Sequence, residues 1–360
     1  MKNTETVKTR RSLLLKMVAM ILAVSLLPVF ALAEEPSLEG SEWITFLLIC
    51  NEGMNNDKGN AGNTLMAVSM NEETGAIRLM PFTWDTFIDY EGYDVPQKLD
   101  MPYRNNGPEE AMKVFNANFG LNIERYMSLN YLNLASLIDA YNGVTVDITR
   151  AERNALNGMV GSKKIQLQAQ VGTGLLSQAI VEMLAQEYYL SEFGPDIHLN
   201  GLQAVGFGWL QYDSVYNCCE REVEVIANLF HSVGTVISEK IHFYTGEKEP
   251  PKGETQGRRA INADNITNDD YEFLRQQIAP IFQMSFHNLT EDDIRTISLA
   301  LARTAYKAAR EGYNIFDNVK YQILPLEAKN EYDIVAGTKG HLVDKEKNHE
   351  AILNFLFGDD

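Results

Sequence analysis

The sequence predicts an α/β protein, because short apolar segments alternate with amphipathic segments of helical length along its 360 residues. The composition is 45% hydrophobic and 22% charged, which is typical of a globular protein and excludes a disordered or fibrous chain. The formal net charge of −18 argues against a nucleic-acid partner, because surfaces that bind phosphate backbones are usually basic. Mixed strands and helices in this order favour an α/β or α/β/α sandwich.

Residues 1–33 have the features of an export signal. A basic segment precedes an uncharged stretch from Met17 to Ala33, which ends in Ala-Leu-Ala directly before two glutamates. Cleavage after Ala33 fits this pattern, and so does retention of residues 17–33 as an anchor, because the stretch is at the lower length limit of a membrane span. In either case we expect the remaining chain to be extracytoplasmic, secreted or associated with the cell envelope.

The first part of the exported chain alternates strands and helices. Apolar runs predict strands at 45–50, 64–70, 77–80 and 144–148, with a turn at 71–75 between the second and the third. Gly107, Pro108 and the two glutamates that follow predict a helix start, since proline and acidic residues suit a first helical turn. A second helix is predicted at 132–141.

The second part of the chain is mostly helical by pattern. The periodicity predicts helices at 175–189, 202–207, 220–230, 269–283, 290–311 and 344–357, and one strand at 319–324. The segment 246–259 is rich in Gly, Pro, Lys and Glu and predicts a linker or a mobile loop.

The sequence contains few recognisable catalytic motifs. No two of the six histidines lie within five residues of each other, so the chain has no zinc-binding helix motif, and it contains neither a GxSxG elbow nor a phosphate-binding P-loop. Cys50 lies in an apolar run and is predicted to be a core residue. Cys218 and Cys219 are adjacent, which disfavours a bond between them, and we predict a structural role.

Several blocks of sequence resemble, in order and spacing, the LytR–CpsA–Psr family of cell-envelope proteins. The most specific is LIDAYNGVTVDI at 137–148, and the others lie at 63–69, 81–88, 98–103, 199–204 and 220–221. The resemblance implies a three-layer α/β/α sandwich with a central mixed sheet over residues 40–245. This domain would be followed by the linker 246–259 and by a helical extension at 260–360. The extension would contain one strand and pack on the first domain.

Members of this family are similar in transferring glycopolymers from a polyprenyl-pyrophosphate carrier to peptidoglycan. Such a reaction needs arginines and a divalent cation to offset the pyrophosphate charge, and an apolar channel for the lipid. In this sequence Ala61, Trp84, Trp209 and Gln211 stand at positions where the family has arginine, and residues 215–218 lack the arginine of another family element. Only Arg221 is kept.

The resemblance nevertheless implies a set of site residues. Asp85 and Arg221 would be catalytic if the protein is active, and Glu52 and Asn63 would form a weak metal site for Mg²⁺ in that case; otherwise no cofactor is expected. The predicted ligand-binding residues are Trp84, Trp209, Lys98, Arg104 and Gln211. The two tryptophans either plug the space left by the arginines or form an aromatic platform for a sugar ring or a lipid headgroup.

Three functions remain open at this point. The first is a non-catalytic protein that binds a polyprenyl-linked lipid or a cell-wall glycan, because five arginine positions are replaced. The second is a divergent but active glycopolymer transferase that depends on Mg²⁺. The third is a protein-binding partner of an active relative of the same family.

Overall fold

The computed structural model describes residues 43–53, 61–71, 76–159, 187–246, 248–262, 265–311, 319–325, 333–335 and 337–357. The export signal at 1–33, most of the turn at 71–75 and nearly all of the helix predicted at 175–189 lie outside these residues. Within the described ranges, no helix is both long enough and apolar enough to cross a membrane.

A mixed sheet of six strands forms the centre of the protein. Its order is β11-β6-β1-β2-β3-β12, with β6 parallel to β1, β12 parallel to β3 and the other pairs antiparallel. The strands are β1 (Trp43–Asn51), β2 (Gly62–Asn71), β3 (Ile77–Pro81), β6 (Arg125–Asn130), β11 (Phe286–His287) and β12 (Val319–Tyr321).

Three smaller sheets surround the central one. The first has the order β13-β14-β4-β5, and the other two each pair two strands, β7 with β8 and β9 with β10. Their strands are β4 (Thr86–Ile88), β5 (Gln97–Lys98), β7 (Val144–Ile148), β8 (Gly194–Leu199), β9 (Ile241–Tyr244), β10 (Arg259–Asn262), β13 (Asp333–Val335) and β14 (Thr338–Leu342).

Helices cover both faces of the central sheet. In chain order they are α1 (Met101–Asn106), α2 (Pro108–Phe119), α3 (Tyr131–Ala140), α4 (150–159), α5 (Gly201–Gly208), α6 (Val215–Lys240), α7 (Lys252–Thr255), α8 (Asn268–Gln283), α9 (Glu291–Glu311) and α10 (Lys345–Phe357). Capping hydrogen bonds from side chains define the first residues of several helices. The side chain of Asn130 accepts the backbone N–H of Asn133, and Thr267 and Asp270 cap α8 reciprocally.

The alternation of side chains along β1 produces two hydrophobic cores, one on each face of the sheet. Phe46, Leu48 and Cys50 point into a core shared with α3, α5, α6, α8 and α9. Leu47 and Ile49 point into a second core shared with α1, α2 and α10. This arrangement confirms the predicted three-layer α/β/α sandwich with a central mixed sheet.

The region after residue 260 differs from the predicted helical extension with one strand. It contributes β10 in part and β11, β12, β13 and β14 in full, and two of these, β11 and β12, form the edges of the central sheet. The strand predicted at 319–324 corresponds to β12 (Val319–Tyr321). The sequence pattern did not indicate the other strands, because runs of two to five residues are too short to show a period. Within the predicted linker 246–259 lies the short helix α7.

Candidate functional site

The predicted site lies where β1 ends and β2 begins, at the N-terminal turns of α6. Trp209, which follows α5, is buried there and belongs to the first hydrophobic core. Its indole N–H donates to the hydroxyl of Thr64 on β2 at 2.9 Å. Because the ring is enclosed and its only polar atom is bonded, Trp209 fills space as a plug does, and it offers no face to a ligand in this conformation.

Glu222 on α6 lies at the same level as Trp209. It is 4% exposed, and burial raises the pKa of its carboxyl well above the ordinary value, although Thr64 and the charge of Arg221 oppose that rise. Its Oε1 lies 4.0 Å from the Sγ of Cys218. Trp209, Thr64 and Glu222 therefore close the space between sheet and helix with groups that carry no positive charge.

Arg221, the one retained arginine, is committed to internal partners. Its guanidinium donates to both carboxylate oxygens of Asp213, at 2.9 and 2.7 Å, and to the carbonyl of Leu210, and lies 3.7 Å from Glu152. The side chain is 2% exposed. Burial alone would raise the pKa of Asp213, but the hydrogen bonds and charge of Arg221 hold it below its ordinary value. Asp213 and Glu152 thus neutralise the positive charge of Arg221 that a bound pyrophosphate would require.

Trp84, Asp85 and Lys98 form a second neighbourhood. The ammonium of Lys98 lies 5.0 Å from the ring centroid of Trp84, within cation–π range. Asp85 is 5% exposed, and its Oδ2 lies 3.7 Å from Nε2 of His341 on β14, which is also buried. The structure therefore brings Asp85 to a histidine of the C-terminal region.

The other predicted ligand-binding residues are more exposed than Trp209, Arg221 and Asp85. Arg104 is exposed and pairs with Asp100 at 2.5 Å, and Gln211 is exposed in the loop before α6. Glu52 is exposed at the end of β1, and Asn63 is half-buried on β2.

The predicted magnesium ligands do not form a recognisable cation site. Across the described ranges, no group of three or more His, Cys, Asp or Glu side chains is arranged to hold a metal ion. The exposed Glu52 and the neutral amide of Asn63 thus do not match the carboxylate-rich sites that hold Mg²⁺. The metal assignment stays a prediction.

An apolar cavity lies below the Trp209 plug, between the sheet and the helices. Its volume is about 50 Å³. Ile226 and Leu229, one and two turns after Glu222 on α6, form part of its wall. The whole lining is hydrophobic and consists of Phe46, Leu48, Val68, Met70, Ile77, Met127, Leu129, Leu134, Leu137, Ile226, Leu229, Phe230, Ile281, Ile297 and Leu301. A cavity of this composition accepts hydrocarbon and excludes water.

The sequence did not indicate the residues that contact Arg221, Glu222 and Asp85. Asp213 and Glu152 neutralise Arg221, and Glu222 faces Thr64, but nothing in their spacing indicates these contacts. His341 lies 256 positions after Asp85 in the chain and reaches it only because β14 pairs with β4. The one available signal was charge: Glu220, Arg221 and Glu222 are consecutive at the start of the helix predicted at 220–230.

Comparisons with solved structures identify the fold. TagV from B. subtilis has a TM-score of 0.55 and 12% identity, and the match covers 89% of this chain and 99% of TagV. Protein gbs0355 from Streptococcus agalactiae has a TM-score of 0.53 and 15% identity, with 88% and 89% covered. TagT, in a structure described as bound to LIIa-WTA, has a TM-score of 0.52 and 13% identity, with 92% and 99% covered.

At these identities the structural likeness shows the fold alone, and a comparison with curated proteins gives no match. The family assignment comes from a sequence model of the LytR_cpsA_psr family, which matches residues 31–229, more than half of the chain. This range contains β1 to β8 and the part of α6 that carries Arg221 and Glu222. The chain therefore belongs to the LytR–CpsA–Psr family.

Proposed function

We propose that this protein is an exported, non-catalytic member of its family that binds a polyprenyl-linked lipid or cell-wall glycan. The observation that carries the proposal is the state of Arg221, whose guanidinium is buried and bound by Asp213 and Glu152. A pyrophosphate would have to displace two carboxylates from a buried arginine, which costs several kcal/mol before any binding is gained.

The plug at Trp209 supports the same proposal. An active site for pyrophosphate transfer places cationic groups where negative charge develops. Here an indole ring, a threonine hydroxyl and a buried glutamate occupy the corresponding space. An ionised Glu222 would repel a phosphate, and a protonated Glu222 would offer it no charge.

The apolar cavity supports the proposal that the protein binds a lipid without transferring it. A cavity of about 150 Å³ is needed to hold one benzene ring. The cavity of about 50 Å³ therefore holds only a short stretch of hydrocarbon until α8 or α9 moves away from the sheet. We expect a short polyprenyl chain to enter more readily than a long one.

The test is lipid binding to the purified chain, measured by native mass spectrometry with farnesyl phosphate and undecaprenyl phosphate, each with Mg²⁺ or with EDTA. We expect retention of lipid that does not depend on Mg²⁺. Val68→Phe narrows the cavity from the sheet side and should abolish retention. Val114→Phe, a matched change in the second hydrophobic core, should leave retention unchanged.

Three results would overturn the proposal. Equal lipid retention by wild type and Val68→Phe would show that the cavity does not hold the lipid. Release of polyprenyl phosphate from a polyprenyl-pyrophosphate-linked saccharide in the presence of peptidoglycan, dependent on Mg²⁺ and lost in Arg221→Gln, would favour the divergent transferase. If no lipid is retained at all, the protein-binding function becomes the better account.

A further inference from the structure

The last turn of α8 forms part of the wall of the apolar cavity. Ile281, in this turn, is 7% exposed and lines the cavity. The chain then continues directly into β11, which pairs with β6 through only two residues. Helix α3 lines the same cavity through Leu134 and Leu137. A movement of the last turn of α8 away from α3 would therefore widen the cavity.

Pro280 interrupts the hydrogen bonds of α8 directly before Ile281. Proline has no backbone N–H, so the carbonyl of Gln276, four residues earlier, lacks its usual helical donor. A proline inside a helix weakens the helix locally and is a common position for a kink. Pro280 is therefore the position in α8 at which the last turn separates most easily from the rest of the helix.

The turns of α8 that precede the proline are in contact with α9 and with the core. Arg275 pairs with Glu291 at 2.8 Å, and the guanidinium of Arg295 lies 4.4 Å from the ring centroid of Tyr271. Leu274 is 1% exposed and belongs to the first hydrophobic core. These contacts give the earlier part of the helix a fixed position against which the last turn can move.

Two side chains from α3 and its C-terminal end hold the last turn of α8 in place. The hydroxyl of Tyr141 donates to the carbonyl of Gln277 at 3.0 Å, and Nδ2 of Asn133 donates to the carbonyl of Met284 at 2.8 Å. The two accepting carbonyls lie on either side of Pro280. Tyr141 is 2% exposed, so its hydrogen bond is shielded from water. The loss of one such bond shifts an equilibrium between closed and open forms by about two- to tenfold.

We propose that residues 280–284 form a gate to the apolar cavity, which moves at Pro280 and is held closed by Tyr141 and Asn133. Movement of α9 would expose more apolar surface and is disfavoured for that reason. The gate contributes one fully buried residue to the first core, Ile281, whereas α9 contributes Ile294, Ile297, Leu299, Ala300, Leu301 and Ala302. The inference rests on the proposed function, because the ligand that would enter is hydrocarbon, and it adds the route of entry.

The first test is hydrogen exchange of the purified chain, measured by mass spectrometry on peptides that cover residues 277–286. Tyr141→Phe removes only the hydroxyl and should speed exchange of the amides at 281–285 by about two- to tenfold. Pro280→Ala restores the missing N–H and should slow exchange of the same amides. Tyr188→Phe is the matched control, because Tyr188 is buried in the same core and its hydroxyl bonds to no group of α8 among the described residues.

The second test is the rate at which the same proteins take up farnesyl phosphate, followed by native mass spectrometry. Uptake should be faster than wild type in Tyr141→Phe, slower in Pro280→Ala and unchanged in Tyr188→Phe. The gate is overturned if exchange at 281–285 is the same in Tyr141→Phe as in wild type, or if uptake keeps the wild-type rate while exchange changes. If exchange changes as expected but no variant binds the lipid, the moving turn is supported and the lipid-binding function alone fails.

Discussion

Trp209 shows how one residue can close a site. Its ring fills the space between β2 and α6, and its N–H is bonded to Thr64. Of the two roles that the sequence left open for the tryptophans, the plug describes Trp209 in this structure. Trp84 differs, because its ring is half-buried and contacts the ammonium of Lys98, so the platform role stays a prediction for that residue.

We predict that Trp209→Ala destabilises the protein by about 3–5 kcal/mol, because it leaves a cavity in the first core and removes the hydrogen bond to Thr64. Urea unfolding measures the change. Trp209→Phe keeps most of the ring volume and should cost less. A loss under about 1 kcal/mol for Trp209→Ala would show that the ring is not packed as described.

The raised pKa of Glu222 predicts that the stability of the folded protein depends on pH, and it determines the sign of that dependence. The ordinary value is 4.5, and burial holds the carboxyl protonated in the folded state well above that pH. The stability that the protonated form contributes is therefore complete below about pH 4.5, and it is lost as the pH rises towards the folded pKa. Glu222→Gln removes the titration and should be increasingly more stable than wild type across that range.

The difference between Glu222→Gln and wild type should grow by up to about 1.4 kcal/mol for each pH unit above pH 4.5, until the folded pKa is reached. Denaturant unfolding at pH 4, 6 and 8 measures it, and the other titrating groups cancel in the comparison. A difference that does not change with pH would mean that Glu222 is ionised in the folded protein.

At the scale of elements, the start of α6 is tied to the loop before it by Arg221 and Asp213. Removing Asp213 takes two hydrogen bonds from the buried guanidinium of Arg221 but leaves Glu152 at 3.7 Å. We predict that Asp213→Ala destabilises the protein by about 1.5–3 kcal/mol, the range for hydrogen bonds to a charged group. The pair between Arg275 and Glu291 is the matched control, because both its side chains are at least one-third exposed, and Glu291→Ala should cost no more than about 1 kcal/mol.

The comparison of these two variants by thermal unfolding decides whether Arg221 is a structural or a ligand-binding residue. Equal small effects would leave the guanidinium available to a ligand and would weaken the case against pyrophosphate binding. A large effect for Asp213→Ala alone agrees with the geometry, in which the charge of Arg221 is used inside the protein.

The elements of the first domain were largely predictable, and the reason is local. Strands β1, β2, β3 and β7 are rich in apolar residues, and α2 and α3 have recognisable starts and a helical period. Strand β6, which pairs with β1, was missed because Arg125–Asn130 mixes polar and apolar residues, and its place in the sheet depends on tertiary contacts.

The candidate site was less predictable than the fold, and the reason is again physical. The sequence indicates which residues depart from the family pattern, but the fate of Arg221 depends on Asp213 and Glu152, which only the folded chain brings together. The contact between Asp85 and His341 likewise requires that a strand near the C-terminus pairs with β4.

At the scale of the whole molecule, the C-terminal region packs into the same fold as the residues that the family model matches. The match ends at residue 229, yet Ile281 and Ile297 belong to the first core, and Leu324 and Ile352 belong to the second. Arg78 on β3 also donates to the carbonyl of Phe355 on α10. These contacts extend over both faces of the central sheet.

We predict that the described regions unfold in a single cooperative transition. Ile352→Ala on α10 and Leu229→Ala on α6 should each destabilise that transition by about 2–5 kcal/mol, although they lie in different cores and on either side of the linker. Scanning calorimetry measures this. Two separate transitions, with each variant shifting only one, would show that residues 260–360 form an independent domain.

Native mass spectrometry of the protein purified from membranes, with and without Mg²⁺, shows whether the protein binds a carrier lipid without consuming it. We expect a co-purifying polyprenyl phosphate or polyprenyl-linked glycan whose retention does not depend on Mg²⁺ and which is not consumed when peptidoglycan is added. Retention that requires Mg²⁺, followed by release of the carrier after addition of peptidoglycan, would contradict it and identify an active transferase.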